Sequence, residues 1–347
     1  MRLGLIARSD NTGLGSQTYE LARMLNPDKI LLINSYTFNQ NKQYPERYEK
    51  FNKVTFSTKR FLSREEIALF LKKLDVVFTC ETFYSPMFIS VAERMGVKTI
   101  LQYNYEFLDY LQSESLPFPT MLLSPSTWNL DDVKNKFNDK TKIEFLPPPT
   151  NSDNFKEVRS LNISKDHRRI LHVAGKRADN DRNGTNTVIE MLKYSKEDYE
   201  LVIKTQSEID NKYKDSRLTI EQNNLDNRQD LYKNFDAMVL PRRYAGLCLP
   251  MNEALISGLP VFMTDISPNN FVLPKEWLIP SKKIGRFMTR TLLDIYEANP
   301  KHLGKTIDLY INKDKLSDKQ KAFDIGYNNF STDILKDKYN LMINSLK

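Results

Sequence analysis

The chain has 347 residues, of which 40% are hydrophobic and 11% are aromatic, and its formal net charge is +7. This length predicts two domains rather than a single core, and the apolar content excludes an intrinsically disordered chain. The basic balance fits an acidic ligand or nucleic acid, yet a solvated, lysine-rich surface produces the same charge, so charge alone selects neither.

The apolar runs of the chain are too short to span a bilayer, and the opening MRLGLIARSDNTG lacks the basic region, apolar stretch and cleavage site of a signal peptide. We therefore expect a cytoplasmic protein without stable membrane insertion. The two cysteines, Cys80 and Cys248, stand in unlike contexts. Such cysteines predict reduced thiols rather than a disulfide framework or a metal cluster.

The chain begins with the pattern of a nucleotide-binding α/β domain. Residues 2–7 predict a short strand, the loop SDNTGLGSQ follows, and TYELARMLN predicts a helix. Gly13 and Gly15 do not complete a GxGxxG fingerprint, because Thr18 stands at the position of the third glycine. We expect these glycines to let the backbone approach a bound phosphate or sugar closely, and a plain tight turn is the alternative.

Carboxylates follow two later strands of this half. KILLIN, DVVFTC and VKTILQY predict strands, and Ser63 with Glu66 predicts a capping box at the start of a helix between the first two. Glu81 follows the second of these strands and Glu106 follows the third. Because ligands gather at the carboxyl ends of parallel strands, both are candidates for contacting an acceptor molecule. A helix cap or a solvated ion pair is the alternative for each.

A domain boundary is predicted near residue 150. KIEFLPPP predicts a strand that ends in three prolines, and this proline run forms a stiff linker. The pattern of strand, loop and helix then begins again at RRILHVAG, and such alternation in both halves predicts the α/β class with parallel sheets. We expect domains at 1–150 and 151–325, with 326–347 as a C-terminal helix that packs back on the first. The tail from about Lys282 is predicted to be helix-rich.

The stretch PRRYAGLCLPMNEALISGLPV, at 241–261, follows the strand-like run 235–240 and predicts a loop, a helix and another strand. Arg242 and Arg243 stand at the strand end, and Glu253 lies about one turn into the helix. A pair of arginines next to a helix start suits a pyrophosphate, and a carboxylate facing the same place suits a sugar or ribose hydroxyl. These residues predict a nucleotide-sugar site.

The residues AGLCLPMNEALISGLPV also resemble the signature of GT-B glycosyltransferases, especially the retaining family typified by sucrose and glycogen synthases, which is glycosyltransferase family 4-like. The segments GLGSQTYELARML, LLSPSTWNLDDV, IEFLPPPTNSDNF and ILHVAG are similar to further parts of that family and follow in its order. The loop SDNTGLGSQT, with DRNGT and PRRYAGLCLP, is similar to a branch found in bacteriophages and bacteria. The resemblance implies two Rossmann-like, doubly wound parallel-sheet domains facing a central cleft, an N-terminal acceptor domain and a C-terminal nucleotide-sugar donor domain.

The resemblance implies roles for individual donor-site residues. Lys176 and Arg182 match the basic residues that hold the donor diphosphate, and Glu253 matches the glutamate that holds the donor ribose. The chain departs from the family pattern at two places, because Asn183-Gly184 replaces Lys-Gly and Ala245 replaces a second glutamate that contacts the donor sugar. Sugar recognition then passes to other residues of the loop, or the sugar is recognised differently; the candidates are Arg243, Tyr244 and the backbone N–H groups of Gly246 and Leu247.

The chemistry that the resemblance implies is sugar transfer from a nucleotide-diphosphate sugar to an acceptor hydroxyl, with retention. In such enzymes the departing phosphate takes the acceptor proton, so no strong protein base, bound cofactor or strictly required metal is expected. No metal-ligand spacing occurs in the sequence. An inverting reaction would need Glu81 or Glu106 as the base, and the predicted catalytic residues are therefore Glu81, Glu106 and Arg243. We expect His172, inside a strand, to be structural rather than catalytic.

The acceptor is open between a hydroxylated pyrimidine base in phage DNA, a cell-surface polysaccharide or lipid, and a small molecule. Basic clusters at 72–73, 168–169, 242–243 and 282–286, together with the phage-like resemblance, favour DNA, with the host cytoplasm as its location. Tyr84, Tyr103 and Tyr105 would then form aromatic walls around a flipped base, beside Asn104, although core or rim positions explain the same tyrosines. An inactive sugar-nucleotide-binding protein is a further alternative, motivated by Ala245. The oligomeric state is left open.

Overall fold

The structure is a computed structural model that describes residues 1–36, 42–57, 61–111, 116–176, 181–209, 214–222, 225, 227–244 and 246–347. The chain divides into two compact units, which we call unit 1 and unit 2. Unit 1 comprises residues 1–150 and 332–347, and unit 2 comprises residues 151–331.

Unit 1 is built on a parallel sheet whose described strands follow the order β3-β2-β1-β4-β5-β6-β7. The strands are β1 (Leu3–Arg8), β2 (Lys29–Ile33), β3 (Val54–Ser57), β4 (Val76–Cys80), β5 (Lys98–Gln102), β6 (Met121–Ser124) and β7 (Lys142–Phe145). The helices are α1 (Gly13–Leu25), α2 (Arg64–Leu71), α3 (Phe88–Arg94), α4 (Leu130–Phe137) and the C-terminal helix, called α11 below (Thr332–Asn344). Alternate residues of the central strands enter two apolar clusters, one on each face of the sheet.

The C-terminal helix α11 is fastened to the sheet of unit 1 by a buried tyrosine. The Tyr339 hydroxyl donates to the carbonyl of Pro147 at 3.0 Å and accepts from Nε2 of Gln102 at 3.2 Å. The ring of Tyr339 stacks on Phe78 with 6.1 Å between centroids. These contacts join the chain end to β4, to β5 and to the proline run after β7. Residues 326–331 belong to unit 2 instead.

Unit 2 has a second parallel sheet, whose described strands follow the order β10-β9-β8-β11-β12-β13. They are β8 (Arg169–Gly175), β9 (Glu200–Thr205), β10 (Leu218–Gln222), β11 (Ala237–Leu240), β12 (Val261–Thr264) and β13 (Leu278–Ile279). The helices are α5 (Lys156–Ser164), α6 (Thr185–Met191), α7 (Leu249–Ile256), α8 (Asn269–Val272), α9 (Pro300–Ile311) and α10 (Leu316–Phe330). Strands β14 (Ser281–Met288) and β15 (Leu292–Ala298) form a separate antiparallel hairpin.

The predicted α/β class with a parallel sheet in each half is confirmed. The expectation that the tail is helix-rich from about Lys282 is wrong for its first part, because 281–298 form the hairpin and helices begin only at Pro300. The hairpin has few long apolar runs, and its strands are held by each other rather than by the parallel sheet. Strand β3 was also missed, since its polar edge position carries little apolar signal.

Each sheet has one point where the strand order reverses. In unit 1 the chain adds β2 and β3 on one side of β1 and then returns to place β4 on the other side. In unit 2 it adds β9 and β10 beside β8 and then places β11 on the opposite side. The loops that leave the two strands at such a point diverge, and the crevice between them is where open α/β sheets bind ligands. The residues after β8 and β11, and those after β1 and β4, therefore define the candidate sites.

Candidate functional site

The loops after β8 and β11 are joined by direct backbone contacts at the reversal point of unit 2. The N–H of Arg243 donates to the carbonyl of Arg182 at 2.9 Å. Gly184 has a φ of +71°, and a Cβ on it would lie only 2.3 Å from the carbonyl oxygen of Pro241. A glycine is therefore required both by the backbone conformation and by the close approach. The two loops form one continuous structure, which we call the loop pair (181–184 and 241–247).

Asp181 and Asn183 build the first half of the loop pair. The buried carboxylate of Asp181 accepts from the backbone N–H groups of Thr185 and Asn186, each at 2.9 Å, and so caps α6. Nδ2 of Asn183 donates to the carbonyl of Ala174 at 2.9 Å. Asn183, which replaces the family's lysine, is thus committed to tying the loop to the end of β8.

Three arginines meet in the loop pair. The guanidinium carbon of Arg182 lies 5.5 Å from the ring centre of Tyr244. Arg243 is half-buried, and Arg242 is only 6% exposed, with Nη1 donating to the carbonyl of Leu247 at 2.7 Å. Such a concentration of guanidinium groups at a strand end suits an anion, above all a phosphate.

The other predicted donor residues of unit 2 lie along the same two loops. Lys176 is exposed directly after β8, while residues 177–180 lie outside the described part of the chain. Gly246 and Leu247 are half-buried ahead of α7. Ala245, where the resemblance implies a missing glutamate, also lies outside the described residues.

Glu253 on α7 is buried, with 6% of its surface exposed, and two side chains orient its carboxylate. Oε1 lies 2.5 Å from Nε of Arg228, and Oε2 accepts from the hydroxyl of Tyr232 at 2.5 Å. Burial, together with the negative charge of Glu253, raises the pKa of Tyr232 well above its usual range, which keeps the phenol protonated as a donor. Each carboxylate oxygen has a further lone pair for a ligand hydroxyl.

Arg228 and Tyr232 were not identified as site residues from the sequence. They lie in the polar segment LDNRQDLYKNF ahead of β11, more than twenty positions before Glu253. A basic residue and a tyrosine on one turn were visible there, but only the folded chain shows that both face the same carboxylate.

The hairpin packs against the second half of the loop pair. The N–H of Tyr296 in β15 donates to the carbonyl of Arg243 at 2.9 Å. The rings of Tyr244 and Phe287 lie 4.6 Å apart between centroids, at an angle of 59°. The hairpin therefore supports the predicted sugar-contacting residues Arg243 and Tyr244 from behind.

His172 holds the two central strands of unit 2 together. It is fully buried, its Nδ1 donates to the carbonyl of Val239 at 2.9 Å, and its Nε2 accepts from the hydroxyl of Thr185 at 3.0 Å. Burial lowers the pKa of this imidazole to about 4, so it is neutral near pH 7. Both ring nitrogens are occupied by the fold, which supports a structural role.

The His172 pKa predicts a pH dependence of stability. Because the folded pKa lies below the ordinary value of 6.5, stability is fully present above pH 6.5 and is lost as the pH falls toward about 4. The expected slope is about 1.4 kcal/mol per pH unit for this one group. Urea unfolding of the wild type and of His172→Gln across this range measures it. The slope should shrink in His172→Gln and persist in the control His167→Gln, and equal slopes in all three proteins would contradict it.

At the reversal point of unit 1, Glu81 and Asn104 lie together. Nδ2 of Asn104 donates to Oε1 of Glu81 at 2.6 Å, and the Glu81 N–H donates to the carbonyl of Gln102 at 2.8 Å. Glu81 and Tyr84 have φ values of +65° and +57°, in the left-handed region that non-glycine residues rarely adopt. Such backbone strain concentrates at functional sites, which adds to the interest of this strand end.

The remaining acceptor candidates of unit 1 are mostly buried. Tyr84 and Tyr103 contribute their rings to the apolar core, and burial raises the pKa of Tyr103 to about 12. Glu106 is only 3% exposed. Tyr105 is half-buried, and its hydroxyl donates to Asp132 at 2.8 Å. The structure thus brings Glu81 and Asn104 together at an accessible edge and places the tyrosines of β4 and β5 largely inside the core.

The glycine loop of unit 1 folds around a buried ion pair. Arg8 donates from Nε to Asp10 at 2.8 Å, and Asp10 also accepts from the hydroxyls of Thr12 and Ser35. Although burial alone raises the Asp10 pKa, these hydrogen bonds and the Arg8 charge hold it below its usual value.

The two glycines of this loop stand at the start of α1, which begins at Gly13. A Cβ on Gly15 would lie 2.1 Å from the Asp10 carbonyl, so local packing already requires this glycine. A role of Gly13 and Gly15 in ligand binding stays a prediction.

Two searches of the described ranges returned nothing. No group of three His, Cys, Asp or Glu side chains there could hold a metal ion. Among the same residues, no helix combines the length and apolarity needed to cross a bilayer.

No protein-family model and no curated protein matches the sequence. Solved structures match it over nearly its whole length. A glycosyltransferase from Rickettsia africae matches with a TM-score of 0.70 at 13% identity, over 99% of this chain and 98% of that chain. HepE from Anabaena, in complex with UDP and glucose, matches with a TM-score of 0.68 at 10% identity, over 99% of this chain and 100% of that chain.

Sucrose-phosphate synthase from Thermosynechococcus elongatus matches with a TM-score of 0.66 at 12% identity, over 99% of this chain and 98% of that chain. At such identities the likeness concerns the fold, and the site must carry any functional argument. The chain has the GT-B fold, which it shares with glycosyltransferases and which here comprises a parallel α/β sheet in each of two units.

Proposed function

We propose that this chain is a glycosyltransferase that moves a sugar from a nucleotide-diphosphate sugar to an acceptor hydroxyl. The observation that carries the proposal is the loop pair with its three arginines, next to the buried and oriented carboxylate of Glu253. The fold adds support, because HepE, which shares it, was solved with UDP and glucose bound. Unit 2 is the donor-binding unit and unit 1 the acceptor-binding unit.

The donor-site residues have distinct roles in this proposal. Lys176, Arg182 and Arg243 stabilise the leaving diphosphate, since fixed positive charge lowers the energy of the transition state in which that charge develops. Glu253 accepts hydrogen bonds from the ribose hydroxyls. Sugar recognition falls to Arg243 and Tyr244 with the backbone N–H groups of Gly246 and Leu247, and Gly13 and Gly15 let unit 1 approach the donor.

On the acceptor side, Glu81 and Asn104 form the most accessible polar pair. We propose a retaining reaction, as in family 4-like enzymes, in which the leaving phosphate takes the acceptor proton and no metal or other cofactor is required. In an inverting reaction Glu81 would be the base, with Glu106 as the less exposed alternative.

The favoured acceptor is a hydroxylated pyrimidine base in phage DNA, modified in the host cytoplasm, with Tyr84, Tyr103 and Asn104 around the base. The burial of the two tyrosines means that this requires local opening of their loops. A polysaccharide, a lipid or a small molecule is the alternative acceptor, and a sugar-nucleotide-binding protein without activity is the alternative function, favoured by Ala245.

The function is tested by incubating the protein with a panel of nucleotide sugars and with hydroxymethylated or unmodified DNA, followed by mass analysis of the nucleosides. We expect a sugar-shifted hydroxymethylpyrimidine with one donor. Nucleotide release with a different acceptor would replace DNA while retaining the transferase. Donor binding without turnover on any acceptor would favour the binding protein, and absence of binding to every nucleotide would reject the proposal.

Replacement of Glu253 with alanine tests the ribose role. Loss of charge-assisted hydrogen bonds worth about 1.5–3 kcal/mol predicts a donor dissociation constant raised by about 10- to 100-fold. Titration calorimetry measures this, with Glu253→Gln to separate charge from packing around Arg228 and Tyr232. The control Glu190→Ala removes an exposed glutamate of the same unit. Unchanged donor affinity in both Glu253 variants would refute the role.

Replacement of Phe287 with alanine tests whether the hairpin supports the loop pair. Its contact with Tyr244 is of a kind worth about 0.5–1.5 kcal/mol, so the donor dissociation constant should rise by about 2- to 10-fold. Met288→Ala is the matched control, because its side chain is 65% exposed on the same strand. Equal donor affinity in Phe287→Ala and the wild type would show that the hairpin is not needed for donor binding.

A further inference from the structure

Arg242 is a deeply buried cation without an acidic partner. Only 6% of its surface is exposed, and its Nη1 donates to the neutral carbonyl of Leu247 at 2.7 Å. Its Nε has no hydrogen-bond partner, and across the described ranges no carboxylate lies within ion-pairing distance of its guanidinium. One of the five N–H donors of this side chain is therefore satisfied by a protein carbonyl.

Other deeply buried basic side chains of this protein are compensated. Arg8, with 7% exposure, pairs with Asp10 at 2.5 Å. Lys319, with 2% exposure, pairs with Asp236 at 2.7 Å. The comparison shows that this fold normally supplies a carboxylate to a buried cation, and that the end of β11 does not.

An uncompensated buried guanidinium is costly, because arginine stays protonated and its desolvation is not offset by a counter-ion. Proteins retain such groups where a ligand supplies the opposite charge. A single carbonyl offers a partial charge and leaves the planar fork of the guanidinium open for a second, bidentate partner.

The position of Arg242 adds a second attractive feature. Its guanidinium is bonded to Leu247, two residues ahead of the first residue of α7, and the cap residue Cys248 makes no side-chain cap. The first N–H groups of this eight-residue helix carry partial positive charge and lack helical acceptors. Arg242 and the start of α7 thus present positive charge to one place, beside the loop pair at the reversal point of the sheet.

We propose that Arg242 is the counter-charge for an anionic group of the ligand, a phosphate or a carboxylate, which binds between its guanidinium and the start of α7. Which of the two groups it takes rests on the proposed function, since a nucleotide sugar offers its diphosphate and, when the sugar is an acid, a carboxylate as well. The resemblance assigns no role to this arginine. Arg242 is a ligand-binding residue whose charge the protein leaves for the ligand to neutralise.

The test compares the wild type with Arg242→Gln, whose amide can still donate to the Leu247 carbonyl. Calorimetry and thermal shift are measured with inorganic pyrophosphate, a nucleoside, its diphosphate, the same nucleotide carrying a neutral hexose, and the same nucleotide carrying a uronic acid. We expect Arg242→Gln to weaken the ligands that carry the recognised anion by at least about tenfold and to leave the nucleoside unaffected. Arg286→Gln, which removes the same charge from an exposed site in unit 2, should bind all of them like the wild type.

The ligand series separates the two anions. If Arg242 binds the diphosphate, pyrophosphate and every diphosphate ligand weaken alike. If it binds a sugar carboxylate, only the uronic acid donor weakens, and its advantage over the neutral hexose disappears. Equal affinities in variant and wild type, or equal weakening of the nucleoside, would overturn the proposal and leave Arg242 a brace of the loop.

The failure of the proposed function is distinguishable from the failure of this inference. Pyrophosphate binding that depends on Arg242, without any nucleotide binding, supports the anion site and rejects the transferase. Absence of binding to every anion in the wild type overturns the anion site. If Arg242→Gln does not fold, Arg242→Lys asks the same question, because an ammonium keeps the charge but lacks the bidentate fork, and anion affinity should again fall while nucleoside affinity holds.

Discussion

Gly184→Ala is expected to destabilise the protein and to weaken donor binding by more than tenfold. A left-handed backbone costs alanine about 1–2 kcal/mol. The added Cβ would also lie 2.3 Å from the Pro241 carbonyl oxygen, and relief of such a contact requires a backbone shift worth about 1–3 kcal/mol. Because the Pro241 segment continues into Arg242 and Arg243, the shift separates the loops that hold the arginines together. Urea unfolding and titration calorimetry with the donor measure the two effects.

Gly96→Ala and Gly175→Ala are the controls for this prediction. Both glycines have positive φ values, +70° and +62°, and a Cβ on either would meet nothing within 4 Å. They therefore isolate the backbone cost of about 1–2 kcal/mol from the collision. Gly96, in unit 1, should also leave donor affinity unchanged. If Gly184→Ala were no more damaging than Gly96→Ala, the contact between the two loops would not matter for the site.

Lys319→Met is expected to destabilise the protein by about 3–5 kcal/mol, because it leaves a buried carboxylate without its counter-ion. Nζ of Lys319 lies 2.7 Å from Oδ1 of Asp236 and donates to the carbonyl of Asn162 at 2.6 Å. Asp236 is fully buried directly ahead of β11 and also accepts from the N–H of His167. The pair thus joins α10 to the strand that carries the loop pair. Chemical denaturation measures the loss.

The matched control is Lys321→Met, two positions along the same helix. Its ion pair with Glu276 is about half exposed on both sides, and exposed pairs of this kind contribute about 0–1 kcal/mol. The double variant Lys319→Met/Asp236→Asn should be less unstable than the sum of its single changes, since the unpaired charge is then removed. Additive losses would show that the two side chains act independently.

Local signals in the sequence were sufficient for much of the fold. The alternation of apolar strands and helical runs predicted a parallel sheet in each half, and Ser63 and Glu66 form the predicted capping box. These features depend on residues close together in the chain. The hairpin at 281–298 was missed because its strands stabilise each other and carry many charged residues, so that neither strand alone has the pattern of a buried one.

The candidate site shows the same division. The stretch from Arg242 to Glu253 was recognisable, because a strand end with arginines and a helix with a carboxylate are chemical patterns within one segment. The occupation of Glu253 by Arg228 and Tyr232 was not recognisable, because it depends on how a separate segment packs. Asn183 is a similar case, since its role in holding the end of β8 follows from the path of the loop.

The sequence by itself determined that this chain has two parallel α/β units and that an anion-binding segment follows Leu240, because hydrophobic periodicity and the order of strand, loop and helix are local properties. Only the tertiary structure decided which charges are compensated. It pairs Arg8 with Asp10 and Lys319 with Asp236, and it leaves Arg242 buried beside a neutral carbonyl. The physical reason is that burial and counter-ions are set by segments far apart in the chain, which meet only when the sheet has formed.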